Sequence, residues 1–191
     1  DLANDPNELS IAPDGQTLAF VANDATGQAT LWVRPLGDFE ARELPGTKNA
    51  TLPFWSADGK QIGFFADGKL TRTRAAGGQP EPICDASSGR GASWNRNDVI
   101  VFSPSPTGPL YQVRARGGSP EAATAVDSTQ GETAHRWPCF LPDGEHFTYA
   151  ALPVKNGQFT CYVGSLRSKQ RTPLLIAIGA PLTLGSRGVL W

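Results

Sequence analysis

The sequence predicts an all-β fold made of repeated four-stranded antiparallel units. Three observations predict it. A tight-turn signature recurs at nearly even spacing, the runs beside it are rich in Val, Ile, Phe, Trp and Thr, and no stretch carries the i, i+3, i+4, i+7 apolar stripe of an amphipathic helix. Turn formers are abundant as well: 21 Gly and 16 Pro in 191 residues imply many short elements.

The hairpins come first. ELSIAPDGQTLAFVA (8–22), LPFWSADGKQIGFFA (52–66), ASWNRNDVIVFS (92–103) and WPCFLPDGEHFTYAA (137–151) each run from an apolar residue through a polar turn into a second apolar run. Asp14, Asp58 and Asp143 share one slot, each followed by Gly; the third copy is one residue shorter and carries Asn97-Asp98 there. Asp and a positive-φ Gly are what a tight hairpin needs. The steps between copies are 44, 39 and 46 residues, and a period of about 43 is the length of a four-stranded propeller blade.

The remaining strands repeat too. TLWVRPLG (30–37), KLTRTRAAGG (69–78), PLYQVRARGG (109–118) and TCYVGSL (160–166) supply the third strand of each unit; ARELPG (41–46), PEPICDA (80–86), PEAATAV (120–126) and RTPLLIA (171–177) supply the fourth. In LAFVA, IGFFA and VIVF the apolar residues are consecutive rather than alternating, so both faces of these strands are covered. Blades stacked face to face about an axis do this to an antiparallel sheet. The fold class is therefore an all-β propeller of four-stranded antiparallel blades, at about 8–46, 47–86, 87–126 and 127–177. Residues 178–191 begin a fifth blade as strand, Gly-Ser-Arg-Gly turn, strand.

This repeat resembles the PD40, or WD40-like, repeat of TolB-type propellers, whose signature is SPDG before an apolar strand. APDG (12–15), SADG (56–59) and LPDG (141–144) carry it. The run GETAHRWPCFLPDGEHFTY (131–149), with LWVRPL and GRGASWN, is similar to the TolB-like extracytoplasmic segment of some bacterial serine/threonine kinase-like proteins; no kinase motif is present. The resemblance implies a six-bladed ring, a binding or sensing role, and a place outside the cytoplasm. An unfinished ring exposes blade faces and edges, so the expectation is a fragment of a longer protein or a chain completed by a partner. A closed ring of four blades with a capping hairpin is the rival reading.

Bulk properties exclude several functions. Seventeen basic and 18 acidic residues leave a net charge of −1 with no basic run, so no nucleic-acid partner is expected. The longest apolar segment, 173–184, is too short to span a bilayer and is broken by Gly179 and Pro181. Cys84, Cys139 and Cys161 lack metal-ligand spacing and read as buried thiols, with a Cys139–Cys161 disulfide as the lesser alternative. Neither GxSxG nor a DxDxDG loop occurs, and Asn23, Asp24 and Asp67 make no calcium motif; no catalytic residue, metal or cofactor is expected. Glu132 and Glu145 belong to a loop and a hairpin turn and do not read as a glycosidase pair. Asn49-Ala50-Thr51 reads as a chance glycosylation sequon.

One constellation stands out. Aligning Trp55, Trp94 and Phe140 puts Thr51, Arg90 and Arg136 in a single slot four residues earlier, to which the first blade contributes Asn7. The innermost strand of each blade starts near the axis, so this slot lies around one mouth of the central channel, flanked by Glu132, His135 and Trp137. Two arginines from neighbouring blades can converge on an anionic group, or they can pair with Glu132 or Asp85 and staple the blades. Three functions follow: a non-catalytic module that binds a protein segment or small anionic ligand, the gating propeller of a prolyl-oligopeptidase-type serine peptidase, or a purely structural subunit.

Overall fold

A computed structural model describes the backbone of residues 9–153, 158–178, 182–184 and 188–190, and the side chains of 9–152 and 159–174. Four antiparallel sheets of four strands follow one another along the chain. The first comprises β1 (Leu9–Ile11), β2 (Thr17–Asn23), β3 (Ala29–Pro35) and β4 (Arg42–Glu43). The second comprises β5 (Thr51–Trp55), β6 (Gln61–Ala66), β7 (Lys69–Arg74) and β8 (Glu81–Asp85). The third comprises β9 (Ala92–Trp94), β10 (Val99–Phe102), β11 (Tyr111–Arg114) and β12 (Glu121–Ala122). The fourth comprises β13 (Glu132–Phe140), β14 (His146–Pro153), β15 (Gln158–Ser165) and β16 (Ser168–Ile178); β17 (Leu182–Leu184) and β18 (Gly188–Leu190) form a further hairpin. Strand order within every sheet is sequential, as a propeller blade requires. A 3-10 turn at Ser128–Gln130 is the one helical element among the described residues.

The repeated turns have one mechanism. The Asp14, Asp58 and Asp143 carboxylates each accept the N–H two residues on, from Gln16, Lys60 and Glu145, at 2.8, 3.0 and 2.9 Å. Gly15, Gly59 and Gly144 follow in the left-handed region at φ 73°, 69° and 72°. The shorter third copy reaches the same geometry with other residues: Asn95 Oδ1 accepts the N–H groups of Asn97 and Val99, and Asp98 takes the left-handed place at φ 56°.

Consecutive burial of the second strands follows from stacking. Ile62, Gly63, Phe64 and Phe65 are buried in a row on β6, as are Ile100, Val101 and Phe102 on β10. Their alternate faces feed different interfaces: Ile62 and Phe64 pack with Val21, Val33 and Leu44 of the first blade, whereas Phe65 packs with Ile100 and Phe102 of the third. Val101 in turn packs with Phe147 and Tyr149 of the fourth. The core is thus a series of inter-blade layers, and inner strands β1, β5, β9 and β13 neighbour one another in that order. Trp55 ties the first two together, its Nε1–H donating to the Ser10 carbonyl at 3.0 Å. All three thiols are free. Burial pushes Cys84 and Cys161 up to about 11 and raises Cys139 too, so none is a thiolate at neutral pH.

Candidate functional site

The slot holding Thr51, Arg90 and Arg136 has a backbone signature that the repeat alignment does not show. In each copy the next residue is left-handed: Leu52 at φ 51°, Gly91 at φ 98° and Trp137 at φ 51°. The ladders slip here, between Thr51 and Phe54 on β5 and between Arg136 and Cys139 on β13. Such a bulge re-aims side chains at the start of an inner strand, and a left-handed Leu and Trp are conformations held by their surroundings. Gly91 makes room for this: a Cβ there would lie 3.1 Å from the Trp137 Cα. The Trp137 N–H donates to the Arg90 carbonyl at 3.1 Å, which joins the third and fourth blades at the slot.

Thr51, Arg90, Arg136 and Trp137 line one cavity of about 610 Å³. Arg136 Nη2 donates to the Pro106 carbonyl at 2.8 Å, and Arg90 Nη1 donates to the Gly89 carbonyl at 2.9 Å. The Arg136 guanidinium stands 5.9 Å from the Trp137 ring centroid. Burial and then the Arg90 charge pull Arg136 below the usual arginine range, so the two cations feel one another. Stapling by Glu132 or Asp85 does not form. Asp85 is held by Lys69 at 2.7 Å and Glu132 by Arg171 at 2.8 Å, and among the described residues no carboxylate forms an ion pair with Arg90 or Arg136. Each guanidinium bonds a backbone carbonyl instead, and Arg136 Nε is buried with no partner among the described residues.

The other expected residues fall elsewhere. Asn7 lies outside the described residues. Glu132 and His135 are buried on the opposite side of β13 from Arg136, in a polar network that joins two blades. Adjacent strand residues face opposite ways, so His135 opposes Arg136; a slip between Glu132 and Ala134 brings Glu132 to the His135 side, and the second slip in β13 comes only after Arg136. His135 therefore cannot share the mouth with its neighbour. Its Nδ1 lies 2.7 Å from Thr124 Oγ1 and its Nε2 3.1 Å from Glu132 Oε2. Thr124 Oγ1 already accepts the Leu110 N–H at 2.9 Å, so a neutral ring with its proton on Nε2 satisfies all these groups. Glu132 also accepts the Asp127 N–H at 2.8 Å, and Arg171 completes the cluster from the outermost strand. His146, by contrast, sits at the fourth hairpin turn, 2.6 Å from Asp143 and 45% exposed.

The network fixes a pH response. Burial pulls His135 below its ordinary 6.5, with the Glu132 carboxylate only partly offsetting it. Burial pushes Glu132 up, but donors from Arg171, the Asp127 N–H and His135 together hold it below its ordinary 4.5. In both cases the unfolded chain binds protons first. The stabilisation is present above pH 6.5 for His135 and above 4.5 for Glu132, and it is lost as pH falls toward the lower folded values. Thermal midpoints are expected to fall steadily from pH 7 to 5, and His135→Gln to flatten that slope; an unchanged slope in the variant would exclude His135 as its source.

No family model and no curated protein matches the chain. Solved structures do. A TolB protein from Agrobacterium tumefaciens superposes with a TM-score of 0.76 at 18% identity, over 91% of this chain and 66% of that one. TolB from Acinetobacter baumannii gives 0.72 at 14% identity, over 91% of this chain and 45% of that one. The fold is that of a TolB-like β-propeller. This TolB-like propeller spans less than two thirds of either structure. It is similar at a greater distance to prolyl endopeptidases, with a TM-score of 0.59 at 16% identity over 91% of this chain and 28% of that one. No helix among the described residues is long and apolar enough to cross a membrane.

Proposed function

We propose that this TolB-like propeller is a non-catalytic binding module, part of a larger extracytoplasmic protein or assembly, that takes an anionic group of a partner segment or small ligand between Arg90 and Arg136. One observation carries the reading: two guanidiniums from neighbouring blades face a single cavity, each bonding a backbone carbonyl and neither, among the described residues, forming an ion pair with a carboxylate. Their mutual repulsion is relieved by a bound carboxylate or phosphate, and planar guanidinium forks suit such oxygens. The Trp137 ring lies beside the Arg136 guanidinium at the same mouth.

The test is direct. Saturable shifts of the Arg90 and Arg136 side-chain NMR resonances are expected on adding sodium acetate or inorganic phosphate, and Arg90→Ala/Arg136→Ala should abolish anion binding with little loss of thermal stability. No response in the wild type, together with a collapse of stability in the double variant, would make the arginines structural staples instead.

A further inference from the structure

We infer that the ligand of this mouth is an amphipathic carboxylic acid, whose apolar body, poor in hydrogen-bonding groups, lies in the groove between the inner strands of the four blades. The inference rests on the anion-binding reading and adds the part of the ligand beyond its charge. A second cavity, of about 440 Å³, adjoins the arginine cavity, and Leu52 and Trp137 line both. Head and body spaces therefore adjoin at a shared wall, formed by the two left-handed residues that follow the slot. Ile11, Phe54, Trp55, Trp94 and Phe140 supply much of the groove wall, one or more from every blade. Its volume falls within the range that encloses a small ligand, and its lining is that of an apolar site.

The groove discriminates between kinds of body. Several of its side-chain polar groups are committed within the protein. Trp55 Nε1–H donates to the Ser10 carbonyl at 3.0 Å, and Trp94 Nε1–H to Asp98 at 3.3 Å. Ser93 Oγ accepts the Phe140 N–H at 3.0 Å. Asn95 holds its own turn through Oδ1 and donates through Nδ2 to the Gly144 carbonyl at 2.7 Å. A peptide body brings an N–H and a C=O with each residue, and these side chains offer them few open partners; each one buried unpaired opposes binding. A hydrocarbon or aromatic body carries no such groups and gains from burial against the indoles. Charge complementarity at one end and a wall of apolar side chains at the other suit an amphipathic acid.

The experiment titrates the whole chain with dodecanoate below its critical micelle concentration, followed by tryptophan fluorescence and calorimetry. Acetate, dodecyltrimethylammonium and trileucine with a free carboxylate serve as comparators. Dodecanoate is expected to bind at least 100-fold more tightly than acetate and more tightly than the other two. Arg90→Ala/Arg136→Ala should weaken it at least tenfold. Leu9→Asp, at a 45% exposed position on the groove wall, should do the same while leaving acetate binding unchanged. Equal affinity for acetate and dodecanoate would overturn the inference while the anion mouth stands. Tighter binding of trileucine would make the body a peptide and overturn it likewise. Equal binding of dodecanoate and dodecyltrimethylammonium, with dodecanoate unaffected by the arginine substitutions and no response to acetate, would sink the inference and the anion-binding reading together.

Discussion

Arg171→Leu is expected to destabilise the propeller by about 3–5 kcal/mol, the cost of leaving a buried charge without its counter-charge. The side chain of Glu132 is only 6% exposed, and Arg171 Nη1 reaches both its oxygens, at 2.8 and 2.9 Å. Arg171 in turn lies 4.1 Å over the Tyr162 ring and 3.9 Å from Asp127. Burial acts to lower its pKa, but the bonds to Glu132 and Tyr149 outweigh it and raise the value above the usual arginine range. With Leu in place, Glu132 keeps its donors from the Asp127 N–H and His135 but has no neutralising charge. For a chain of this size such a loss lowers the thermal midpoint by roughly 10 °C. The double variant Glu132→Gln/Arg171→Leu should recover a large part of it, because Gln still accepts from both donors without a charge. Unchanged midpoints in Arg171→Leu would show that the carboxylate does not depend on this cation.

The blades were legible in the sequence because each depends on a local, repeated rule: an Asp that bonds its own turn, a left-handed Gly, and a run of apolar residues. The arginine slot was legible for the same reason, since alignment of repeats places equivalent residues at equivalent points around an axis. What surrounds the slot was not. His135 and Glu132 stand one and four residues before Arg136 in sequence, and only the strand's alternation and a bulge between Glu132 and Ala134 send both to the side opposite Arg136. Nothing in ETAHRWP marks where that bulge falls. Arg171 was missed because its contact with Glu132 spans 39 residues and crosses the blade from outermost to innermost strand. The stretch RTPLLIA carries no periodic sign of it. Trp94 and Trp55 read correctly as inner-strand aromatics, but the cavity they line depends on the spacing between blades, which is a tertiary property.

A second large effect lies in a glycine that the sequence shows only as part of an apolar run. Gly63→Ala is expected to destabilise the protein by about 1–3 kcal/mol, the usual penalty for overpacking a core. Gly63 is paired directly with Phe54 across the first two strands of the second blade, and the Phe54 ring lies over it. A Cβ at Gly63 would stand 2.1 Å from Phe54 Cζ and 2.4 and 2.7 Å from its Cε atoms. The ring has little freedom to move away, since it packs against Phe65 and Trp94 at centroid distances of 6.4 and 6.5 Å. The fourth blade repeats the device, with Phe147 paired to Gly164 and a Cβ there 3.1 Å from the ring. An aromatic ring covering a cross-strand glycine shields backbone that would otherwise be bare, and here it also sets the position of a groove wall, because Phe54 lines the cavity beside Trp94. Gly63→Ala should therefore lower the thermal midpoint and also weaken dodecanoate binding, whereas Gly63→Ala/Phe54→Leu should regain stability by clearing the overlap. Recovery of stability without recovery of binding would assign Phe54 to the groove as well as to the core. Failure of the double variant to regain stability would mean that the methyl group is accommodated some other way and that the pairing does not set the wall.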